Sequence, residues 1–382
     1  MRLLLLADLH VGSIKDTEYY YNVTKSIIEK EVIWTHTDAV ILLGDYFDRL
    51  FKVNEEYVSL AINLMSFLIR ACKRSKTKLR IVYGTESHEM NQYRLFNYHF
   101  ASSHIDMKLF TTCTEEELFP GTNVLYIPEE YIENKHEFYK DTLYSGKKYD
   151  YIFGHGMIEE GMPAAMRTAR TASDKSEKQV PRFKAGEFSS IAKLTAFGHV
   201  HTHCDMDGNV HYVGSLFRKS FGEEEAKGYA VIEDGVWKFI ENEKAYTYKT
   251  YEFNSDSSVY TSTDEMVSEI EKIRSDNKEI FDGTKTGKIR IIFHTDEKTD
   301  PTFYDGLRNI TSNDKLIVPL IKEEDHSIIE EAKEEIDDEY AFVLDNSMNI
   351  SDKIHTFITL RDSTIDLPAK VIDEYINSPL SI

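Results

Sequence analysis

Short apolar runs recur through the first 200 residues, and five of them stop at a cluster of carboxylates and imidazoles. Arg2–Ala7 runs into Asp8-Leu9-His10, and Ala39–Leu43 into Gly44-Asp45-Tyr46-Phe47-Asp48. Leu79–Tyr83 precedes Gly84-Thr85-Glu86-Ser87-His88-Glu89. Tyr151–Phe153 precedes Gly154-His155, and Leu194–Phe197 precedes Gly198-His199-Val200-His201. Runs of four to seven β-branched and leucine-rich residues read as buried strands. With Glu18–Val32 and Val58–Cys72 patterned as helices between them, the order strand, helix, strand predicts a layered α/β architecture. Sites of such folds form beyond the carboxyl ends of strands. Five polar clusters there can gather enough donors to hold two divalent ions side by side.

The spacing inside each cluster supports that reading. In Asp8-Leu9-His10 and His199-Val200-His201, alternation along an extended chain puts both polar side chains on one face. Gly44 permits a sharp turn off its strand, and Asp45 has two oxygens with which to bridge two ions. Asp48 and Glu89 are expected to orient ligands rather than ligate. Nitrogen and oxygen donors of this kind suit Mn²⁺, with Mg²⁺, Fe²⁺ and Zn²⁺ open on donor type alone. Taken singly, each histidine is more often an ordinary core or surface residue.

After Gly208 the pattern changes to short strands at Val210–Val213, Gly228–Ile232 and Val236–Ile240, with an Asp234-Gly235 hairpin signal. A further strand is expected at Lys288–His294, a helix at Tyr304–Ile310, a strand at Lys315–Leu320 and helical segments from Ile329 onward. The polar stretch Asn254–Thr263 reads as a linker. The expected division is 1–250 for the clusters, 251–325 for a small α+β unit and 326–382 for an acidic helical tail.

The formal charge of −21 argues against a polyanionic partner until its distribution is examined. Residues 251–382 carry 30 acidic and 14 basic side chains, densest between Glu323 and Glu339, whereas the first 250 residues are close to balanced. Basic stretches stand at Arg70–Arg80 and Arg167–Lys184, the second including Arg167, Arg170, Arg182 and Lys184. Either is a candidate phosphate-contacting surface or a solvated face. Three cysteines without paired spacing fit a reducing, cytoplasmic setting, and no run reaches the ~20 apolar residues of a membrane span.

Taken together the clusters resemble the calcineurin-like metallophosphoesterase superfamily, with its D-x-H, G-D-x-x-D, G-N-H-[DE], G-H and G-H-x-H pattern. Tyr212-Val213-Gly214-Ser215-Leu216, Phe221-Gly222-Glu223 and Lys227-Gly228-Tyr229 are similar to segments of SbcD-type nuclease subunits. The resemblance implies an αββα sandwich with a capping domain and C-terminal helices. It implies a DNA exonuclease or endonuclease of repair or recombination that works with an SbcC-type ABC ATPase and forms a homodimer. It assigns Asp8, His10, Asp45 and His201 to one ion, and Asp45, His155, His199 and a ligand from the third cluster to the other. His88 takes the catalytic role of assisting the leaving oxygen. Ser351–Ile376 is the expected ATPase-docking region.

The third cluster departs from the pattern, reading Gly-Thr-Glu-Ser-His where the family has Gly-Asn-His. Counting back from His88 makes Ser87 the preferred replacement ligand, with Glu86 the other choice and a water the third. Two rival readings fit the same residues: a stand-alone phosphatase or cyclic-nucleotide phosphodiesterase, and a non-catalytic scaffold with an impaired second ion site.

Overall fold

The computed structural model describes residues 1–162, 179–253, 263–295, 316–317 and 320–322. The chain divides into two compact units. The first comprises Met1–Tyr251 with Ile270–Arg290 and Asn313–Ile317; the second holds Glu252–Glu269, Ile291–Ser312 and Val318–Ile382. Segments 270–290 and 313–317, expected within the cap, thus group with the leading unit. The expected tail 326–382 and the Tyr304–Ile310 helix lie outside the described residues.

Two six-stranded sheets form the first unit. One runs β14-β13-β1-β2-β3-β4, built from β1 (Arg2–Leu6), β2 (Ala39–Leu43), β3 (Lys78–Val82), β4 (Met107–Phe110), β13 (Gly228–Glu233) and β14 (Val236–Glu241). Its strands β1 to β4 are parallel, with β13 and β14 added antiparallel at one edge. The other runs β11-β12-β10-β7-β6-β5, from β5 (Thr114–Phe119), β6 (Thr122–Ile127), β7 (Tyr149–His155), β10 (Ala192–Gly198), β11 (Cys204–Met206) and β12 (Val210–Tyr212). A short parallel ribbon pairs β8 (Met157–Ile158) with β9 (Arg182–Phe183). In a third sheet, β16 (Gly287–Thr295) lies beside β15 (Thr247–Phe253) and pairs in parallel with β17 (Leu316–Ile317) and β18 (Leu320–Lys322).

The burial pattern explains why these runs are almost wholly apolar. Leu3, Leu5, Ile41 and Val82 of the first sheet join Val124, Phe153 and Ala196 of the second in one core cluster between the sheets. The opposite face of the first sheet, through Leu4, Leu6, Val40 and Leu79, packs on α1 (Thr17–Ile28) and α2 (Glu56–Ser75). The second sheet covers its outer face with Tyr139, just beyond α5 (Lys135–Phe138), and with Phe188 of α6 (Ala185–Ser189). Among the described residues, short helices also form at α3 (Glu86–Glu89) and α4 (Asn97–Ser103). A strand covered on both faces must be apolar along its whole length, and β2 is buried at all five positions. The protein is therefore α/β, with helices outside two facing sheets.

Several elements were not read from the sequence, among them β4, β5, α7 (Thr263–Asp276) and α8 (Lys278–Phe281). The strand β4 and its neighbour β5 sit at edges, and β5 reads Thr-Glu-Glu-Glu-Leu-Phe. Helix α7, followed by α8, begins where a linker was expected. The carboxylates of β5 are tolerated because Glu116 meets Arg80 of β3, whose side chain is 1% exposed. Arg80 Nε and Nη2 each donate to Glu116 at 2.8 Å, a bidentate pair joining the two sheets. Lys78 and Arg80, expected on a basic surface, are instead paired with Asp106, and Arg80 is in the core.

Removing one partner of a buried pair strands the other charge. Glu116→Ala is accordingly expected to lower unfolding free energy by about 3 kcal/mol, read from the urea midpoint. Burial alone raises the Glu116 carboxyl, but Arg80 and Lys108 bring its net value below the ordinary range. Its contribution is therefore present above the unfolded carboxylate value and is lost as pH falls through the folded one.

Candidate metal centre

The five clusters converge at the carboxyl ends of β1, β2, β3, β7 and β10. Parallel neighbours bring these ends to one rim: Leu6 pairs with Leu42, Leu43 with Val82, and Gly198 with His155. Four residues there adopt left-handed backbone, namely Asp8 (φ 48°), His10 (φ 45°), Asp45 (φ 46°) and His199 (φ 97°). Such conformations are uncommon for residues with a side chain and gather at functional sites. Local bonds hold them: His10 N donates to the Asp45 carbonyl at 2.9 Å, and His199 N to Asp8 Oδ1 at 2.9 Å. Gly44 is required on two counts. Its φ is 76°, and a Cβ there would stand 2.2 Å from His155 Nδ1.

Four overlapping groups of candidate metal ligands result: Asp8, His10 and His201; His10, Asp45 and His88; Asp8, Asp45 and His155; and Glu129, His155 and His199. Within each group the ligand atoms lie within 4.8 Å of one another. Shared members link the groups into one elongated nest, with Asp8 and Asp45 near its middle. His10 Nε2 and His201 Nε2 are 2.9 Å apart, and His10 Nε2 is 3.7 Å from Asp45 Oδ2. His155 Nε2 is 3.5 Å from Asp45 Oδ1, and His199 Nδ1 is 3.2 Å from Glu129 Oε2.

The donor set fits divalent cations. Three carboxylates and five imidazoles face one another, the carboxylates, His10 and His155 buried and His88, His199 and His201 half-buried, and so many acceptors in one place repel unless positive charge lies among them. Burial pushes the Asp8 carboxyl up, with the neighbouring Asp45 charge adding to it. At Asp45 burial acts in the same direction, but the imidazoles of His155, His10 and His88 bring it below the ordinary range. Burial holds His10 well below the usual imidazole value. For His155 burial is outweighed by Asp45, Asp8 and Glu129, and its value is raised. A carbonyl only accepts, so the 2.8 Å bond from His155 Nδ1 to the Leu43 carbonyl puts the proton on Nδ1. The Nε2 lone pair then faces the nest.

Glu89 and Asp48 both bond to groups at this rim. Glu89 is fully buried and accepts from Tyr46 N at 2.7 Å and Gly84 N at 2.6 Å, bracing the second and third clusters together. Burial, with Asp45 next, pushes its carboxyl up to about 8. Asp48 uses its carbonyl to accept from His88 Nδ1 at 2.5 Å, while its carboxylate lies 3.7 Å from His10 Nδ1 and 3.2 Å from Lys219 Nζ. His88 stands edge-on to His10, their ring centroids 5.1 Å apart.

Neither candidate from the third cluster reaches the nest. Ser87 and Glu86 are exposed on α3, and among the described residues no hydrogen bond joins either side chain to Asp45, His155 or His199. The hydroxyl in the nest belongs to Thr85, whose Oγ1 lies 3.3 Å from Asp45 Oδ2, 3.3 Å from Glu129 Oε2 and 3.4 Å from His155 Nε2. Counting forward from Gly84, instead of back from His88, reaches Thr85. Glu129 was missed outright, although it follows β6 as the other clusters follow their strands. It brings a full carboxylate, so this end carries one more negative charge than a neutral amide would give.

Two further residues brace His201. The Glu223 carboxylate lies 3.7 Å from His201 Nδ1 and 2.8 Å from Lys227 Nζ, and that ammonium donates to the His201 carbonyl at 3.0 Å. Burial raises Glu223, but His201 and Lys227 outweigh it and bring the carboxyl down to about 2. Of the expected phosphate-contacting residues, Arg167 and Arg170 lie outside the described residues. Arg182 is half-buried on β9, and exposed Lys184 precedes α6, so both sit with the outer core of the second sheet.

Comparisons with known proteins add little. No family model and no curated protein matches the chain. One solved crystal structure aligns over 63% of this chain and 98% of its own, at 14% identity and a TM-score of 0.37, too low to carry an argument. Among the described residues no helix is long and apolar enough to cross a membrane.

This geometry predicts opposite results for Glu129 and Ser87. Glu129→Gln should weaken Mn²⁺ binding about 10- to 100-fold, as loss of a ligating or ligand-orienting group does, whereas Ser87→Ala should leave it unchanged. Calorimetric titration of metal-stripped protein measures both.

Proposed function

We propose that this chain is a metal-dependent phosphodiesterase that cleaves DNA, a calcineurin-like metallophosphoesterase of the SbcD type. The observation that carries the reading is the buried nest itself: Asp8, His10, Asp45, His155, His199 and His201 meet at one rim with His88 beside them. Asp8, His10, Asp45 and His201 would hold one divalent ion. Asp45, His155, His199 and Glu129, with Thr85 at hand, would hold the other, Mn²⁺ suiting this donor set best. Bound there, paired ions supply a nucleophilic hydroxide near neutral pH and neutralise charge on the phosphate.

The protein's own contribution is orientation and proton transfer. The Asp48 carbonyl fixes His88 Nδ1 as a donor, so the second proton of an imidazolium sits on Nε2, on the far side of the ring. As water oxygen bonds to phosphorus and the bond to the 3′ oxygen breaks, that proton passes to the departing oxygen. Lys219 and the Glu223–Lys227 pair keep Asp48 and His201 in place.

The preference for DNA over small phosphoesters rests on the likeness of Tyr212–Leu216, Phe221–Glu223 and Lys227–Tyr229 to SbcD-type subunits. Two members of those segments, Glu223 and Lys227, are the residues that brace His201. The same likeness makes an SbcC-type ATPase the proposed partner and a homodimer the proposed assembly; the docking region Ser351–Ile376 lies outside the described residues.

His88→Ala should bind Mn²⁺ as the parent does while cutting linear and hairpin DNA about 10²- to 10⁴-fold more slowly. Single-turnover cleavage assays with Mn²⁺ read this directly, and cleavage at the parental rate would remove His88 from the mechanism. Turnover of small phosphomonoesters with no DNA cleavage by the parent would select a phosphatase instead.

A further inference from the structure

Beside the metal centre lies a cleft of about 560 Å³ whose composition the proposed chemistry does not use. It is lined by Lys15, Lys219, Lys285 and Lys288 and by the rings of Phe221, Tyr246 and Tyr248, all within the first unit. The aromatic residues form a continuous array. Phe221 and Tyr248 meet edge-on at 4.9 Å between centroids, and Tyr246 and Tyr248 lie 4.9 Å apart. The Arg290 guanidinium sits 4.7 Å from the Phe221 centroid. Among the described residues Lys15, Lys285 and Lys288 form no ion pair with a carboxylate, in a chain that is acidic overall. Two carboxylates are nearby. Asp16 lines the cleft but caps α1, accepting from Tyr19 N, and Glu223 is held by Lys227.

Two contacts tie the wall of the cleft to the nest. Ser13, on its wall, donates its backbone N–H to the His10 carbonyl at 2.9 Å. Lys219, also on its wall, reaches the Asp48 carboxylate, which faces His10.

Unpaired ammonium groups around a run of half-buried aromatic faces are what a single nucleic-acid strand needs. Cations follow its phosphates while rings stack on its bases, whatever their sequence. A duplex keeps its bases stacked on each other and offers only phosphates. We infer that this cleft holds a single-stranded DNA segment continuous with the strand presented to the metal centre. The inference rests on the phosphodiesterase reading above and assigns it a strand path. Lys285 and Lys288 contact phosphates, and Tyr248 and Phe221 provide the stacking surface.

The test is fluorescence-anisotropy binding of oligo-dT to the full chain in EDTA, where no turnover occurs, across a range of salt concentrations. The double variant Lys285→Gln/Lys288→Gln should bind more weakly than the parent, with a plot of log affinity against log salt shallower by about 1.4, two single-strand phosphate contacts' worth. Tyr248→Leu, which keeps apolar bulk, should weaken oligo-dT about tenfold while leaving the salt slope and the melting temperature unchanged. Parental affinity and slope in the lysine variant would overturn the inference. So would displacement of oligo-dT by dTMP at equal nucleotide concentration, which would make the cleft a mononucleotide site. Hydrolysis of bis(p-nitrophenyl) phosphate by the parent reads the metal centre separately. If it occurs while oligo-dT binding ignores the lysines, only the strand path is withdrawn. If it is absent while binding still depends on the lysines, the cleft stands and the nuclease reading goes.

Discussion

The gathering of Asp8, Asp45 and Glu129 with five imidazoles at one largely buried rim sets the terms for the rest of the molecule. Burying carboxylates together is unfavourable, and left-handed backbone at Asp8, His10, Asp45 and His199 costs on the order of 1–3 kcal/mol each. Such an arrangement persists only where the surroundings leave no alternative. Here the surroundings are two sheets packed face to face, so that β1, β2 and β3 present their ends against those of β7 and β10. The interior between the sheets is mainly apolar, with the Arg80–Glu116 pair the main exception described above, and the candidate ligands appear only where the strands stop.

Support for the rim comes in layers. Glu89 ties the Gly44–Tyr46 turn to Gly84, Leu43 fixes the His155 ring, and Asp48 fixes that of His88. On the opposite flank Glu223 and Lys227 hold His201. These bonds set which nitrogen of each ring faces inward, which a metal site and a proton donor both require. Away from the rim, Arg80 and Glu116 join the sheets, giving β3 and β5 a contact that hydrophobic packing alone would leave unspecific in register.

Strands that carry their function at one end are easy to read, because burial on both faces makes them uniformly apolar and the polar residues that follow stand out. β1, β2, β3, β7 and β10 were legible for this reason, as were α1 and α2 from their one-sided periodicity. Edge elements were not. β5 carries three consecutive glutamates, and only the partners of Glu115 and Glu116 across space make it a strand. The same limit applied to the Arg70–Arg80 stretch. A run of basic residues cannot reveal that Arg80 points inward to a carboxylate 36 residues away.

What the sequence determined by itself was the alternation of elements and the types of donor available: carboxylate and imidazole, five clusters, each following a strand. What only the tertiary structure decided was which donors meet. Thr85 enters the nest and Ser87 does not, because α3 begins at Glu86 and turns the next residues outward. Glu129 arrives from the other sheet, whose strand β6 pairs with β7 and delivers it beside His155 and His199. Residue type is a local property of the chain. Convergence depends on sheet order and on which strand ends share a rim, and no spacing along the sequence encodes either.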